Sequence, residues 1–256
     1  MWSRKELKDK AKAVLREIYW SAFGVSIVLA LVGGNHSFGG GNGGGSNYRN
    51  SRDSIYLNIN SYEFINWRLI ATWIIVLILL AIAFRIFIGY SLEVGGRRFF
   101  VKSAQYKDSR KCFSFGFDGQ NYMKIVETML LRSVFTFLWT LLLIIPGIIK
   151  SYAYRMVPYI LADNPNIGVR EAITLSNEMT MGHKFDMFVL DLSFIGWYFL
   201  GSLALGIGVF FVMPYENATN AELYLVLRKN ALKNNLCTYE DLLLTQPAFG
   251  DNDGIY

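Results

Sequence analysis

The chain opens with a helical pattern in which Leu7, Ala11, Val14, Leu15 and Ile18 recur every three or four residues. Arg4, Lys5, Lys8, Lys10, Lys12 and Arg16 fill the positions between them. A basic amphipathic helix over residues 1–17 lies in the plane of an anionic membrane surface rather than across it. From residue 18 to 32 the polar positions thin out, which predicts a first membrane span, short unless the preceding helix runs into it. The stretch lacks a convincing small-residue cleavage site and reads as retained. The run GGNHSFGGGNGGGSN then begins an outer loop over residues 33–66, whose backbone freedom disfavours packed structure. No preceding strand and no Lys or Ser/Thr at P-loop spacing makes it a phosphate loop.

A helix needs roughly 20 apolar residues to cross the hydrocarbon core, and only internally hydrogen-bonded backbone is tolerated there. Residues 69–91 and 125–145 meet that requirement. Pro146 and Gly147 interrupt LLLIIPGII and predict a tight hairpin, with a short return over 148–162. The apolar stretch from residue 185 to 213 is too long for one span. Gly201, Gly206 and Gly208 mark a second hairpin, returning through Pro214 to about residue 225. The expected architecture is therefore all-α and polytopic, about six spans in three hairpins. Residues 18–236 form the membrane domain, 97–124 a cytoplasmic loop and 237–256 a polar cytoplasmic tail. Between the hairpins, Val169, Ala172, Ile173, Leu175 and Met179 share one face of a surface helix that Gly182 would stop. The pattern PYxxAxN occurs at Pro158-Tyr159 and again at Pro214-Tyr215, either as a parallel repeat or as a coincidence in a composition-biased chain.

Composition sharpens this picture. Of the 256 residues 53% are hydrophobic and 18% charged, against about 45–50% and about 25% in ordinary soluble domains. The net charge of +5 would raise the question of nucleic acid in a soluble protein, but here the basic residues flank the spans. Arg97, Arg98, Lys102, Lys107, Arg110, Lys111 and Lys124 follow the second span, whereas the glycine-rich side offers Arg49, Arg52 and Arg68. The bias places both termini and the 97–124 loop in the cytoplasm, with anionic inner-leaflet lipid as the expected partner and no nucleic acid. Cys112 and Cys237 then sit in reducing surroundings.

Enzyme signatures are missing: no HExxH, GxSxG or Walker A motif is present. His36 and His183 fall on opposite sides of the membrane, so no catalytic residue, metal site or cofactor is expected. The feature above background is a set of charges inside the spans: Arg85, Arg132, Asp191 and Glu216. At 1.5 Å per residue all four lie in the inner half of the bilayer, roughly 9–18 Å from its inner boundary. Glu93 and Asp186 lie near enough to that boundary to be interfacial. An unpaired charge at a helix centre costs about 2.5–3.5 kcal/mol on translocon scales. Arg132 is accordingly expected to pair with Asp191 or Glu216, either as a structural lock or as part of a polar pathway.

RKELKDKAKAVLREIYW, IIPGIIKSYAYRMVPYILADNPNI, EAITLSNEMTMGHKFDMFVLDLSFIGWYFLG and the LGIG to PYENATNAELY segment together resemble the bacterial integral membrane family called domain of unknown function 975. The resemblance implies a multi-helix protein of the cytoplasmic membrane, found largely in Gram-positive bacteria. That family supplies no established reaction, so no catalytic residue can be carried over. A non-enzymatic accessory or lipid-interacting component is the expected class. A small transporter or channel using the intramembrane charges is the alternative, and a membrane-embedded enzyme is disfavoured.

Overall fold

The computed structural model describes residues 2–33, 67–203 and 208–245. Among these the protein is built of helices, with no strand. The sequence-predicted glycine-rich loop and the turn residue Gly206 lie outside the described residues.

Helix α1, Arg4–Leu31, begins at Ser3, whose hydroxyl accepts from the Glu6 amide at 3.2 Å and satisfies one of the free first-turn donors. Ile18 leaves the helical region (φ −119°, ψ 17°) and kinks the helix where the basic amphipathic register gives way to the apolar one. Leu7, Ala11, Val14 and Leu15 are buried before the kink, and Ala22, Val25, Ser26 and Leu29 after it.

Helix α2, Trp67–Phe84, runs through a π-helical turn, Arg85–Gly89, into α3, Tyr90–Ala104. The sequence reading ended this span at residue 91 and began a loop at 97; the helix instead continues to Ala104. At 1.5 Å per residue the combined rod is about 57 Å long, well over the roughly 30 Å hydrocarbon core. Its two halves differ. Side chains at 69–82 are exposed, whereas α3 is buried on most of its circumference. Gly96 lets α1 approach, since a Cβ there would stand 2.7 Å from the Leu29 side chain.

After the short α4, Cys112–Phe115, helix α5, Gly119–Leu142, ends at Leu143, which is extended (φ −158°, ψ 137°). Helix α6, Ile144–Ala153, packs back on α5. The reversal falls at Leu143, ahead of the expected Pro146 and Gly147. Pro146 occupies the first turn of α6, where a missing amide costs nothing. Gly147 is the contact point: a Cβ there would lie 2.6 Å from the Thr140 Cα. Residues 154–156 break the return, and α7, Val157–Asp163, follows, so residues 148–162 do not form one continuous helix. The expected surface helix is α8, Val169–Met179, with Ala172, Ile173, Leu175 and Met179 buried and Gly182 at φ +79° just beyond.

Helices α9, Lys184–Leu203, and α10, Gly208–Lys233, meet backbone to backbone, a Cβ on Gly201 standing 2.8 Å from the Gly208 carbonyl carbon. Beyond α10, Cys237 and Leu242 are buried and Asn164 donates to the Asp241 carbonyl at 2.9 Å. Residues 237–245 of the expected polar tail are thus docked on the protein.

Among the described residues four helical units are long and apolar enough to cross a membrane: α1, the α2–α3 rod, α5 and α9. The other two expected spans are not among them. One is the broken α6–α7 segment, and the other is α10, whose middle carries Glu216, Asn217, Asn220 and Glu222.

Candidate functional site

Helix α10 is the axis of the candidate site. It packs on α1, α3, α8 and α9, and every residue from Glu216 to Leu225 is buried. Asn217, Asn220, Tyr224 and Arg228 follow one another at intervals of three, four and four, which places them along one helix face. Asn217 meets α1 and α3, Asn220 meets the break before α7, and Tyr224 and Arg228 share one partner on α7.

Asn217 accepts from Arg97 of α3 at 2.8 Å and donates to Ser26 of α1 at 3.0 Å, tying three helices at one amide. Asn220 accepts from Arg155 at 3.1 Å. The same guanidinium grips Asp191 of α9 through both nitrogens, at 2.7 and 2.9 Å, and Tyr152 donates to that carboxylate at 2.9 Å. Arg155 occupies the break between α6 and α7, so the interruption in the return segment aims the fork at α9 and α10. Such a planar two-bond grip is the geometry that favours arginine over lysine. Lower on α10, Asp163 accepts from Tyr224 at 2.6 Å and from Arg228 at 2.8 Å. Tyr159 stacks on Tyr224 with ring centres 5.3 Å apart, and the Arg97 guanidinium stands 5.2 Å from the centre of the Tyr159 ring.

A second cluster forms where α3 meets α5. Glu93, fully buried, receives Arg85 at 2.7 Å and has Arg132 at 3.5 Å. Arg85 leaves the rod at the π-helical turn and also donates to the Gly33 carbonyl at 3.1 Å. π-helical turns of this kind occur frequently at functional sites.

The structure therefore pairs the sequence-predicted charges differently. Arg85 and Arg132 come together on Glu93, which the sequence reading left at the interface because it ended the helix two residues earlier. Asp191 is held by Arg155, not Arg132. Equal depth along two helix axes does not bring side chains to the same side: α5 packs on α3, α6 and α8, whereas α9 packs on α10 and α6. Glu216 accepts from the Tyr198 hydroxyl of α9. Sequence reasoning missed Glu93, Arg97, Arg155, Asp163 and Arg228. The signal for part of them was present in the polar spacing of α10, which a search for apolar windows passes over.

The two PYxxAxN copies do not occupy equivalent places. Pro158 sits at the second position of α7, while Pro214 lies inside α10. Among the described residues no group of three or more His, Cys, Asp or Glu side chains is placed to hold a metal. His183 lies 3.7 Å from Asp186 on the surface, and His36 is outside the described residues. Both cysteines are buried, and burial pushes the Cys237 thiol up to about 11.

Residues 123–231, from α5 into α10, match the model of the family described as "Protein of unknown function (DUF975)". Over this stretch the chain is similar to that family. No curated protein and no solved structure matches the chain. The DUF975 stretch holds Arg132, Arg155, Asp163, Asp191 and the whole polar face of α10. Glu93, Arg97 and the π-helical turn precede it, so the charged core joins the DUF975 stretch to the helices before it.

Proposed function

We propose that the protein is a non-enzymatic accessory component of the cytoplasmic membrane that engages anionic lipid at the inner leaflet, with its charged core acting as a structural lock. The observation that carries this reading is the kink of α1 at Ile18. It separates a helix bearing Lys8, Lys12 and Arg16 at intervals of four from the apolar segment that follows. A basic amphipathic helix so placed gains about 1 kcal/mol per cation near an anionic surface. The lock reading rests on Arg155 with Asp191, a neutral pair, and on Arg85 and Arg132 sharing the single carboxylate of Glu93, a cluster that keeps one net positive charge. In this reading six crossings form three hairpins and both termini are cytoplasmic. Helix α10 can be one of the six despite its polar residues, because protein rather than lipid surrounds them.

Two measurements test the proposal. Melting of the purified full-length protein in mixed micelles should shift upward with phosphatidylglycerol and not with phosphatidylcholine of the same chains; equal shifts would remove the lipid reading. For topology, Thr174 is exposed on α8, and a Thr174→Cys protein lacking its native cysteines should react with an impermeant maleimide only after the cells are opened. Labelling of intact cells would refute six crossings.

A second reading, as a small transporter, draws on one observation. A cleft of about 320 Å3 between α5 and α6 is lined by Ser133, Thr136, Thr140 and Ser151 and ends at Arg132. Ion flux in proteoliposomes that Thr136→Val abolishes would favour it over the lock.

A further inference from the structure

Lys8, Lys12 and Arg16 do not point at random from the surface of α1. Lys8 reaches α9, donating to the Ser193 hydroxyl at 2.7 Å with its ammonium 4.4 Å from the centre of the Phe194 ring. Burial there, with Lys12 and Arg4 nearby, lowers the affinity of that amine for its proton. One turn on, Lys12 stands 5.8 Å from the centre of the Tyr215 ring of α10. The row of cations thus follows the seam where α9 and α10 meet α1.

Along that seam lies a cavity of about 670 Å3, within the roughly 300–1,000 Å3 range of small-molecule sites. Its walls are apolar and aromatic, including Tyr19, Trp197, Phe211 and Tyr215, and its cations are Lys12 and Arg16. Lys12 also has Asp9 at 3.6 Å, an exposed pair of the kind that contributes little. Trp197 and Phe211 remain 54% and 47% exposed, so the protein leaves half of each ring uncovered. Ring contacts continue from Phe211 to Phe23 at 5.3 Å and on to Trp20 at 6.2 Å, itself 76% exposed. The cavity is therefore open sideways onto an apolar surface, and its cations stand where the amphipathic half of α1 adjoins its apolar half.

We infer that this groove between α1, α9 and α10 binds a single anionic membrane phospholipid. An acyl chain lies along Trp197 and Phe211, and the headgroup phosphate sits between Lys12 and Arg16. The occupant is an amphiphile and not a soluble anion, because the sideways opening offers apolar wall that inorganic phosphate cannot use. Zwitterionic lipid fills the same wall but brings its own cation to the two basic groups. This site rests on the lipid reading above and narrows it from a surface preference to one place and one molecule.

The test is native mass spectrometry of the full chain in detergent, with phosphatidylglycerol or phosphatidylcholine of identical chains added. The wild type is expected to retain one phosphatidylglycerol in clear preference to phosphatidylcholine. Lys12→Gln with Arg16→Gln should weaken that retention roughly thirtyfold, the effect of two surface cations. Trp197→Ala should weaken retention of either lipid while leaving the preference for the anionic one. Lys12, Arg16 and Trp197 are exposed, and melting in phosphatidylcholine micelles checks that each variant is folded. A preference that survives the double substitution overturns the site but leaves the lipid reading standing. Absence of any preference in the wild type overturns both. Displacement of the lipid by inorganic phosphate at equal concentration would assign the cations to a soluble anion and also overturn the proposal.

Discussion

Helices α2 and α10 are near opposites. Helix α2 is apolar on every side and exposes its described side chains from 69 to 82. Helix α10 carries Glu216, Asn217, Asn220, Glu222, Tyr224 and Arg228 and buries them all. In a water-soluble domain the assignment would be reversed, because burial there follows apolarity. In the membrane reading proposed above, a side chain's alternative to protein is hydrocarbon, which accepts leucine at no cost and refuses a charge. The difference teaches that unbroken apolarity here marks a helix exposed at the periphery, while polarity at helical spacing marks the helix at the centre.

The comparison is broken most severely at Glu93. Glu93→Leu leaves the two guanidiniums of Arg85 and Arg132 without their shared carboxylate and should cost roughly 3–5 kcal/mol. Thermal unfolding in detergent measures it, and a loss below about 1 kcal/mol would mean that water reaches the cluster. Next, Arg155→Met and Asp191→Leu should each destabilise by a comparable amount, and the double variant should recover part of the loss. Arg132→Met with Asp191→Leu should be additive, since these residues belong to separate clusters. Coupling in the second cycle and none in the first would contradict the pairing described above.

A smaller effect is expected where packing rather than charge is at stake. Gly147→Ala forces a methyl against the Thr140 backbone and should cost about 1–3 kcal/mol, the usual penalty for overpacking. Smallest of all is Leu77→Ala in α2. Leu77 is 62% exposed, and its truncation should shift stability by no more than about 0.5 kcal/mol. A large loss there would show that α2 is packed against protein in the membrane, as in an oligomer, and would end the contrast with α10.

Much of this was legible in the sequence. The boundary between the basic and apolar registers of α1 falls at Ile18, where the backbone kinks, so the change of hydrophobic pattern coincides with the change of helix direction. The face of α8 and the stop at Gly182 were readable for similar local reasons. Long-range pairing was not. Counting residues from a boundary gives depth but not direction around the axis, so Arg132 and Asp191 looked equivalent while facing different neighbours. Arg155 seemed a flaw in a marginal span, since only the break at 154–156 reveals it as the partner of Asp191. Glu93 was misjudged because nothing in SLEVGGRRFF tells that the helix runs on to Ala104 after the apolar run ends.

The contact between Arg97 and Asn217 joins residues 120 positions apart. A ribosome adding about 5–20 residues per second needs roughly 6–24 seconds to travel from one to the other. During that interval Arg97 and Ser26 are already made, while the amide that ties them together is not. The same holds for Tyr198 before Glu216 and for Arg155 before Asn220. Synthesis of α10 is thus a timed event for the nascent chain: everything made earlier must wait, with its polar partners unmet, until this helix arrives and closes the core.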